Sequence, residues 1–432
     1  MRYPDRLPIR PLDRPPDATV RVPGSKSITN RALVLAALTG KGDAWALRGA
    51  LRSEDTELMV EALRTLGFRV LTEWEDAAVF VSSAEDGPLI PSPGADLFVG
   101  NSGTTMRFLT AMVGLGHGRF RLDGVPRMRE RPIQDLLDAL GQLGVRAFSE
   151  RGNGCPPVVV EADGLAGGTV RIRGDISSQF LSGLLMAAPF ARGEVAIEVE
   201  GPLVSRPYVA MTLAMMRHFG ANVTAAGDRR FHVAGRRPAG VGSYTIEPDA
   251  SAASYFFGAA AITGGTVTVP GLGRASLQGD VRFAEVLADM GCELTDGPDG
   301  LTVRGGPLRG IDADLNDISD TVMTLAAVAC FADGPTTIRN VAHIRHKETD
   351  RLAALATELR RLGAEVEEFA DGLTIRPAPL RGATVETYND HRMAMSLALV
   401  GLRVPGVVIT NPGCVAKTYP RFFEDLAALD PR

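Results

Sequence analysis

"LRTLGFRV" (residues 63–70) is the phrase whose recurrence decides the fold. It has the form L-x-x-[LMF]-G-x-x-[VL]. It returns as "LGQLGVRA" (140–147, closing on Ala), "MMRHFGANV" (215–223), "LADMGCEL" (287–294) and "LRRLGAEV" (359–366). The glycines Gly67, Gly144, Gly220, Gly291 and Gly363 recur roughly every 70–80 residues, the signature of a repeated structural unit. Each phrase predicts the end of an amphipathic helix, a left-handed glycine just beyond it, and the start of a strand. A shortened sixth copy, "FFEDLAAL" (422–429), lies near the end of the chain. Strand pairs with Gly or Asp turns follow the phrases, as in "CELTDGPDGLTVRG" (292–305) and "AEVEEFADGLTIRP" (364–377).

A second, more apolar helix precedes each phrase. The six starts are "SKSITNRALVLAAL" (25–38), "NSGTTMRFLTAMVG" (101–114), "SSQFLSGLLMAAPF" (177–190), "DASAASYFFGAAAI" (249–262), "SDTVMTLAAVACF" (319–331) and "NDHRMAMSLALVG" (389–401). Apolar on nearly all sides, they are expected to be interior helices. The unit therefore reads βαβαββ, repeated six times, three repeats to a domain. The Gly-rich stretch "GRRPAGVGSY" (235–244) is the expected break. It gives one domain over 22–245 and a second over 1–21 plus 246–432, into which the Pro-rich N-terminal arm crosses.

All six interior helices begin with polar residues. Helix caps account for Ser, Asn and Asp there. They do not account for Lys26, Arg31 and Arg392, because a cation in the first turn opposes the helix dipole by roughly 0.3–1 kcal/mol. Such cations call for an anionic partner, and helix N-termini are themselves anion sites. Helices packed in parallel would converge their positive ends on one surface that takes a multiply charged anion. The net charge of −5 does not recommend nucleic acid or an acidic membrane surface as a partner, so any cationic site is local.

Further cations cluster in "PRMRERPI" (126–133), "HIRHKETDR" (343–351), "YNDHRMAMS" (388–396) and "CVAKTYPRFF" (414–423). The first two read equally well as solvated helix starts. Several motifs are excluded. "GSKS" lacks the glycine spacing of a P-loop, "GLGRAS" (271–276) ends on Ser where a dinucleotide fingerprint needs Gly, and "GNSGT" (100–104) misses the nucleophile elbow. His343 and His346 lack a third ligand for zinc, so no metal and no cofactor is expected. Cys155, Cys292, Cys330 and Cys414 are scattered without a CxxC pair, which fits thiols in a reducing compartment. No apolar run spans a membrane and the first residues lack a signal core, so a cytoplasmic location is expected.

Taken together, "PGSKSITNR", "GNSGTTMR", "RMRERPI", "SSQFLSGLL", "SRPY", "SDTVMT", "KETDR", "NDHRMAMS" and "KTYPRFF", running in order from Pro23 to Phe423, resemble the 5-enolpyruvylshikimate-3-phosphate synthases (3-phosphoshikimate 1-carboxyvinyltransferases). The resemblance implies a pair of inside-out α/β barrel domains with the active site in the cleft between them. It implies transfer of the enolpyruvyl group of phosphoenolpyruvate to the 5-hydroxyl of shikimate 3-phosphate, a step toward chorismate and the aromatic amino acids. Lys26, Ser27, Arg31, Ser177, Ser178, Gln179, Ser205, Asp320 and Lys347 would then bind shikimate 3-phosphate. His343 stands where Asn is common in the family and is the least regular member of that set. Lys26, Asn101, Gly103, Arg131, Gln179, Arg351, Arg392 and Lys417 would bind phosphoenolpyruvate. Asp320 resembles the proton acceptor at the 5-hydroxyl and Glu348 the residue that protonates the methylene, with Lys26 assisting. The unsubstituted Gly103 leaves room for glyphosate, while Phe108 stands where a Pro often follows the "MR" pair. The resemblance further implies a monomer acting on small molecules. Two alternatives are a UDP-N-acetylglucosamine 1-carboxyvinyltransferase, whose reactive loop Cys has no counterpart here in the right repeat, and a non-catalytic repeat protein that binds phosphometabolites.

Overall fold

The computed structural model describes residues 3–235, 238 and 240–430. The chain forms two compact units, one of Gly24–Ile246 and one of the stretch up to Pro23 joined to the chain from Glu247 onward. Residues 236, 237 and 239 of the stretch expected to hold the break lie outside the described residues. Its far end does not separate the units. Ser243–Thr245 is a strand parallel to Trp45–Arg48, and the Ile246 amide donates to Arg48 O (2.8 Å), so the first unit runs through Ile246.

Among the described residues twelve α-helices alternate between the two predicted kinds. The apolar set is α1 (Lys26–Thr39), α3 (Gly103–Val113), α5 (Ser178–Ala187), α7 (Ala250–Thr263), α9 (Val322–Ala329) and α11 (His391–Gly401). The amphipathic set is α2 (Glu54–Thr65), α4 (Gln134–Gln142), α6 (Arg206–His218), α8 (Phe283–Asp289), α10 (Arg351–Arg361) and α12 (Phe422–Ala427). Every residue of α3, α9 and α11 is buried, as is α1 from Ile28 onward, whereas α2, α4 and α10 each keep a solvated face. The apolar helices therefore sit inside each unit. Polar pins join their first two turns. Asn30 Nδ2 donates to Thr104 Oγ1 (2.7 Å) between α1 and α3, and Thr324 bridges Ser254 of α7 and Ser396 of α11 (3.1 and 3.3 Å).

The five recurring glycines all have left-handed backbones, with φ from +83° to +117°. After each one the next amide donates back to the residue four positions before the glycine, as Phe68 N does to Leu63 O and Ala364 N to Leu359 O, both at 3.0 Å. That is the Schellman closure, and a Cβ at these positions would be strained. It turns the chain into the outer strand of a four-stranded sheet. In the second repeat, Gly94–Phe98 runs parallel to His117–Asp123, which pairs antiparallel with Val158–Asp163 and that in turn with Arg146–Ser149. Among the described residues five sheets share this order and a sixth has three strands. The N-terminal arm completes two of them. Arg6–Pro8 pairs antiparallel with Val408–Thr410, and Asp17–Thr19 pairs in parallel with Thr266–Val269. Among the described residues no helix is long and apolar enough to cross a membrane.

Candidate active site

Each unit carries its own cluster of predicted residues at the N-terminal ends of its interior helices. In the unit 24–246, Ser25, Ser102 and Ser177 cap α1, α3 and α5, accepting from Ile28 N, Thr105 N and Gln179 N. Lys26 opens α1, with Nζ 3.4 Å from Asp55 Oδ2. Ser27 O accepts from Arg31 Nη1 (2.9 Å). Arg31 is 1% exposed, and its other partners are also neutral: Thr212 Oγ1 (2.7 Å), Ser182 Oγ (3.3 Å) and Tyr208 O (3.2 Å). Its guanidinium carbon lies 5.1 Å from the Phe108 ring centroid. Burial pushes the Arg31 guanidinium down to about 10.

Gly103, Arg131 and Gln179 converge. A Cβ on Gly103 would fall 2.6 Å from Arg131 Nη2 and 3.1 Å from Gln179 Oε1. Arg131 Nη1 donates to Asn101 O (3.0 Å) and Oδ1 (3.3 Å), which fixes the guanidinium against the first turn of α3. Ser178 and Ser205 are buried, and Ser205 adopts a left-handed backbone (φ +52°) just before α6, whose Tyr208 carbonyl holds Arg31.

In the other unit the cluster is a charge network. Asp320 sits in a 3₁₀ turn, Ser319–Thr321, ahead of α9. Its carboxylate meets Lys347 Nζ (2.5 Å), Arg351 Nη1 (3.2 Å) and Arg392 Nη2 (2.8 Å). Arg351 also reaches Glu348 Oε2 and Asp390 Oδ2, both at 2.8 Å, and Lys417 Nζ stands 4.0 Å from Glu348 Oε1. Burial alone would raise the Asp320 carboxyl, but Arg392, Lys347 and Arg351 outweigh it and hold Asp320 well below the usual carboxylate range. Burial lowers Lys347 despite the opposing pull of Asp320. His343 is pushed down to about 3 by burial and then by Lys347, so it is neutral. Arg392 Nη1 donates to Tyr255 Oη (3.1 Å).

The structure thus gathers Asp320, Lys347, Glu348, Arg351, Arg392, Lys417 and His343 into one network, and Asn101, Gly103, Arg131 and Gln179 into another. Sequence reasoning treated Asp390 as part of a helix start, yet it is also the principal partner of Arg351. Asp55 was missed altogether, although its place in the buried first turn of a helix otherwise flanked by Glu54 and Glu57 was visible.

The sequence model of the family described as EPSP synthase (3-phosphoshikimate 1-carboxyvinyltransferase) matches residues 14–426. A 3-phosphoshikimate 1-carboxyvinyltransferase of Trichormus variabilis is 51% identical over 420 residues, covering 97% of this chain and 98% of the relative. One of Shewanella amazonensis is 47% identical over 428 residues, covering 98% and 99%. Among solved structures, an EPSP synthase from Acinetobacter baumannii superposes with a TM-score of 0.80 at 26% identity, covering 98% of both chains. The enolpyruvyl transferase NikO from Streptomyces tendae shares the fold, with a TM-score of 0.78 at 20% identity and coverage of 98% and 97%.

Proposed function

This chain belongs to the EPSP synthase family, and from that premise we propose how its residues move the enolpyruvyl group of phosphoenolpyruvate onto the 5-hydroxyl of shikimate 3-phosphate, releasing inorganic phosphate. The observation that carries the reading is the burial of five cations. Arg31, Arg131, Arg351, Arg392 and Lys417 are each at most 5% exposed. Burying a charge costs several kcal/mol unless it is compensated, and five such cations among the assigned residues, beside a sixth at Arg107 that donates to Pro132 O, suit a protein built for anionic guests.

Shikimate 3-phosphate brings a phosphate and a carboxylate, and phosphoenolpyruvate brings another of each. In this reading Ser177, Ser178 and Ser205 take the shikimate phosphate, with Lys26, Ser27, Arg31, Gln179 and Lys347 around the same substrate and His343 beside it. Gly103, Arg131 and Lys417, with Asn101 alongside, take the transferable phosphate. Arg351 and Arg392 clamp the phosphoenolpyruvate carboxylate, for which the planar guanidinium fork is suited.

In the addition step the 5-oxygen bonds to carbon 2 of phosphoenolpyruvate while its proton passes to Asp320. Glu348 delivers a proton to carbon 3, giving a tetrahedral intermediate. In the elimination step carbon 3 returns a proton to Glu348, the carbon–oxygen bond to phosphate breaks, and phosphate leaves with the bonding pair, taking up the proton held on Asp320. Asp320 is a poor base while three cations surround it. Lys347, Arg351 and Arg392 are also the groups assigned to substrate anions. As they turn to substrate, the carboxylate loses screening and its proton affinity rises, so its basicity grows when it is needed.

Phosphate release measured with both substrates, and with each omitted in turn, tests the reaction. Release that needs both supports it, and release from phosphoenolpyruvate alone overturns it. The same reading carries a cytoplasmic monomer without nucleic-acid or membrane partners. Size-exclusion chromatography at assay concentration checks the monomer.

A further inference from the structure

We propose that Asp55 is a positioning residue that fixes the ammonium of Lys26, an inference that rests on the reading of Lys26 as a substrate-facing group. Three observations lead to it. First, Asp55 is 1% exposed, and its Oδ2 lies 3.4 Å from Lys26 Nζ, itself only 12% exposed. Second, the ordinary reason for an acidic residue at this place is already met by others. Asp55 lies in the first turn of α2, whose start is closed by the reciprocal Ser53–Thr56 box, with Thr56 Oγ1 accepting from Ser53 N at 3.0 Å. Glu54 is exposed and Glu57 half-buried, and both complement the helix dipole from the solvent side. Neither the cap nor the dipole requires a carboxylate to be taken out of water at Asp55.

Third, Asp55 is anchored to the next helix of the cluster. Its carbonyl accepts from Thr105 Oγ1 (3.4 Å), two residues beyond Gly103 in the first turn of α3. The carboxylate is therefore part of the rigid frame that also carries the convergence of Gly103, Arg131 and Gln179. Lysine is the opposite case, a compact charge on a flexible four-carbon stem with rotatable donors. Left alone, its ammonium would sample many positions, and placement within a fraction of an ångström is what separates a bound cation from an effective one. A buried carboxylate on one side of Lys26 holds the ammonium in place. It also makes the cation tolerable in the first turn of α1, where the dipole opposes it.

This assignment has a distinctive kinetic consequence. Removing the Asp55 charge frees the ammonium and lowers kcat. It also removes an anion from a site that binds anions, so KM for either substrate stays level or falls.

A double-mutant cycle tests it, with phosphate release as the readout. Lys26→Met is expected to lower kcat/KM by at least ~10²-fold, the scale of losing one electrostatic stabiliser. Asp55→Asn is expected to lower kcat about 10-fold without raising either KM, and to change kcat less than about 2-fold in the Lys26→Met background. An equal factor in both backgrounds means that Asp55 acts independently and overturns the proposal, as does a kcat near that of the parent in Asp55→Asn. Near-normal activity in Lys26→Met removes the premise instead, a separate failure. Should Asp55→Asn not fold, Asp55→Glu carries the test. Retention of kcat within about 3-fold supports a charge-borne role, and a loss of about 10-fold or more overturns it.

Discussion

Arg31 and Arg351 are both 1% exposed, and the protein holds them by opposite means. Arg31 is caged by hydroxyls, carbonyls and the Phe108 ring, and among the described residues no carboxylate lies within ion-pair distance of it. Arg351 touches three carboxylates, those of Asp320, Glu348 and Asp390. The first arrangement leaves a buried charge that neutral dipoles only partly compensate, and burial weakens its hold on the proton. The second leaves a charge already neutralised, so an incoming anion must compete with the protein's own carboxylates. In the proposed function a cage of the first kind offers its charge to an anion directly. A network of the second kind converts anion binding into a change in carboxylate basicity, which is what a proton-transfer step requires.

The largest effect that would break this contrast belongs to Asp320. Asp320→Asn is expected to lower kcat by about 10³-fold, within the range for loss of a general base, while KM for shikimate 3-phosphate moves less than about 10-fold. Steady-state phosphate release gives both numbers. A variant within 10-fold of parental kcat would leave the charge network without a catalytic purpose.

Next comes a matched pair of deletions. Arg351→Met takes the guanidinium from the buried Asp390 carboxylate and removes one of the cations beside Glu348, and removing one partner of a buried pair typically costs about 3–5 kcal/mol. Arg31→Met strands only hydroxyl and carbonyl groups, at about 1–3 kcal/mol or less, but should raise KM for shikimate 3-phosphate by about 10²-fold. Trp45 and Trp74 are the only tryptophans in the sequence, and both lie in the unit 24–246. Tryptophan fluorescence during urea unfolding therefore follows the Arg31 unit, and far-ultraviolet dichroism follows both. Equal destabilisation in the two variants would erase the distinction between cage and network.

The local parts of this organisation were legible in the sequence. A glycine closing an amphipathic helix is a near-neighbour requirement, and all five instances formed the left-handed closure that the phrase predicts. The interior helices were equally plain, because a helix apolar all round has to be buried. Long-range partners were not. Nothing within a few residues of Asp55 or Asp390 reveals that one faces Lys26 and the other Arg351 across 29 and 39 positions of chain. The Arg31 cage is assembled from Ser182, Tyr208 and Thr212, two repeats away. The expected boundary at 245/246 lies one residue from the observed one at Ile246/Glu247, and the Gly-rich stretch runs into a strand, Ser243–Thr245, that pairs with Trp45–Arg48.

A smaller effect is expected at Gly103. In Gly103→Ala the new methyl would stand 2.6 Å from Arg131 Nη2, so the guanidinium must shift. The nearest atom is the end of a long side chain, and the fold should tolerate the change. KM for phosphoenolpyruvate should rise about 10-fold, with KM for shikimate 3-phosphate changed less than about 2-fold. Equal changes in the two would mean that Arg131 does not distinguish the substrates.

The smallest effect separates the network from its surroundings by pH. His343 has a folded value of about 3, against about 6.5 for an unfolded histidine, because burial and the neighbouring Lys347 disfavour the imidazolium. Below pH 6.5 the unfolded chain takes up a proton that the folded chain refuses. The contribution of neutral His343 is therefore complete above pH 6.5 and is lost as pH falls toward 3, at up to ~1.4 kcal/mol per pH unit. Asp320 has its window lower. Its carboxyl is depressed when folded, so its contribution persists down to about pH 4 and disappears only below that. Between pH 6.5 and 5 the loss comes from histidine, with buried His391 shifted in the same direction. His343→Asn should reduce the fall in stability over that interval by about 2 kcal/mol, measured by urea unfolding followed by far-ultraviolet dichroism at the two pH values. An unchanged slope would mean that His343 accepts a proton inside the folded network, and that the network tolerates one more cation than its geometry implies.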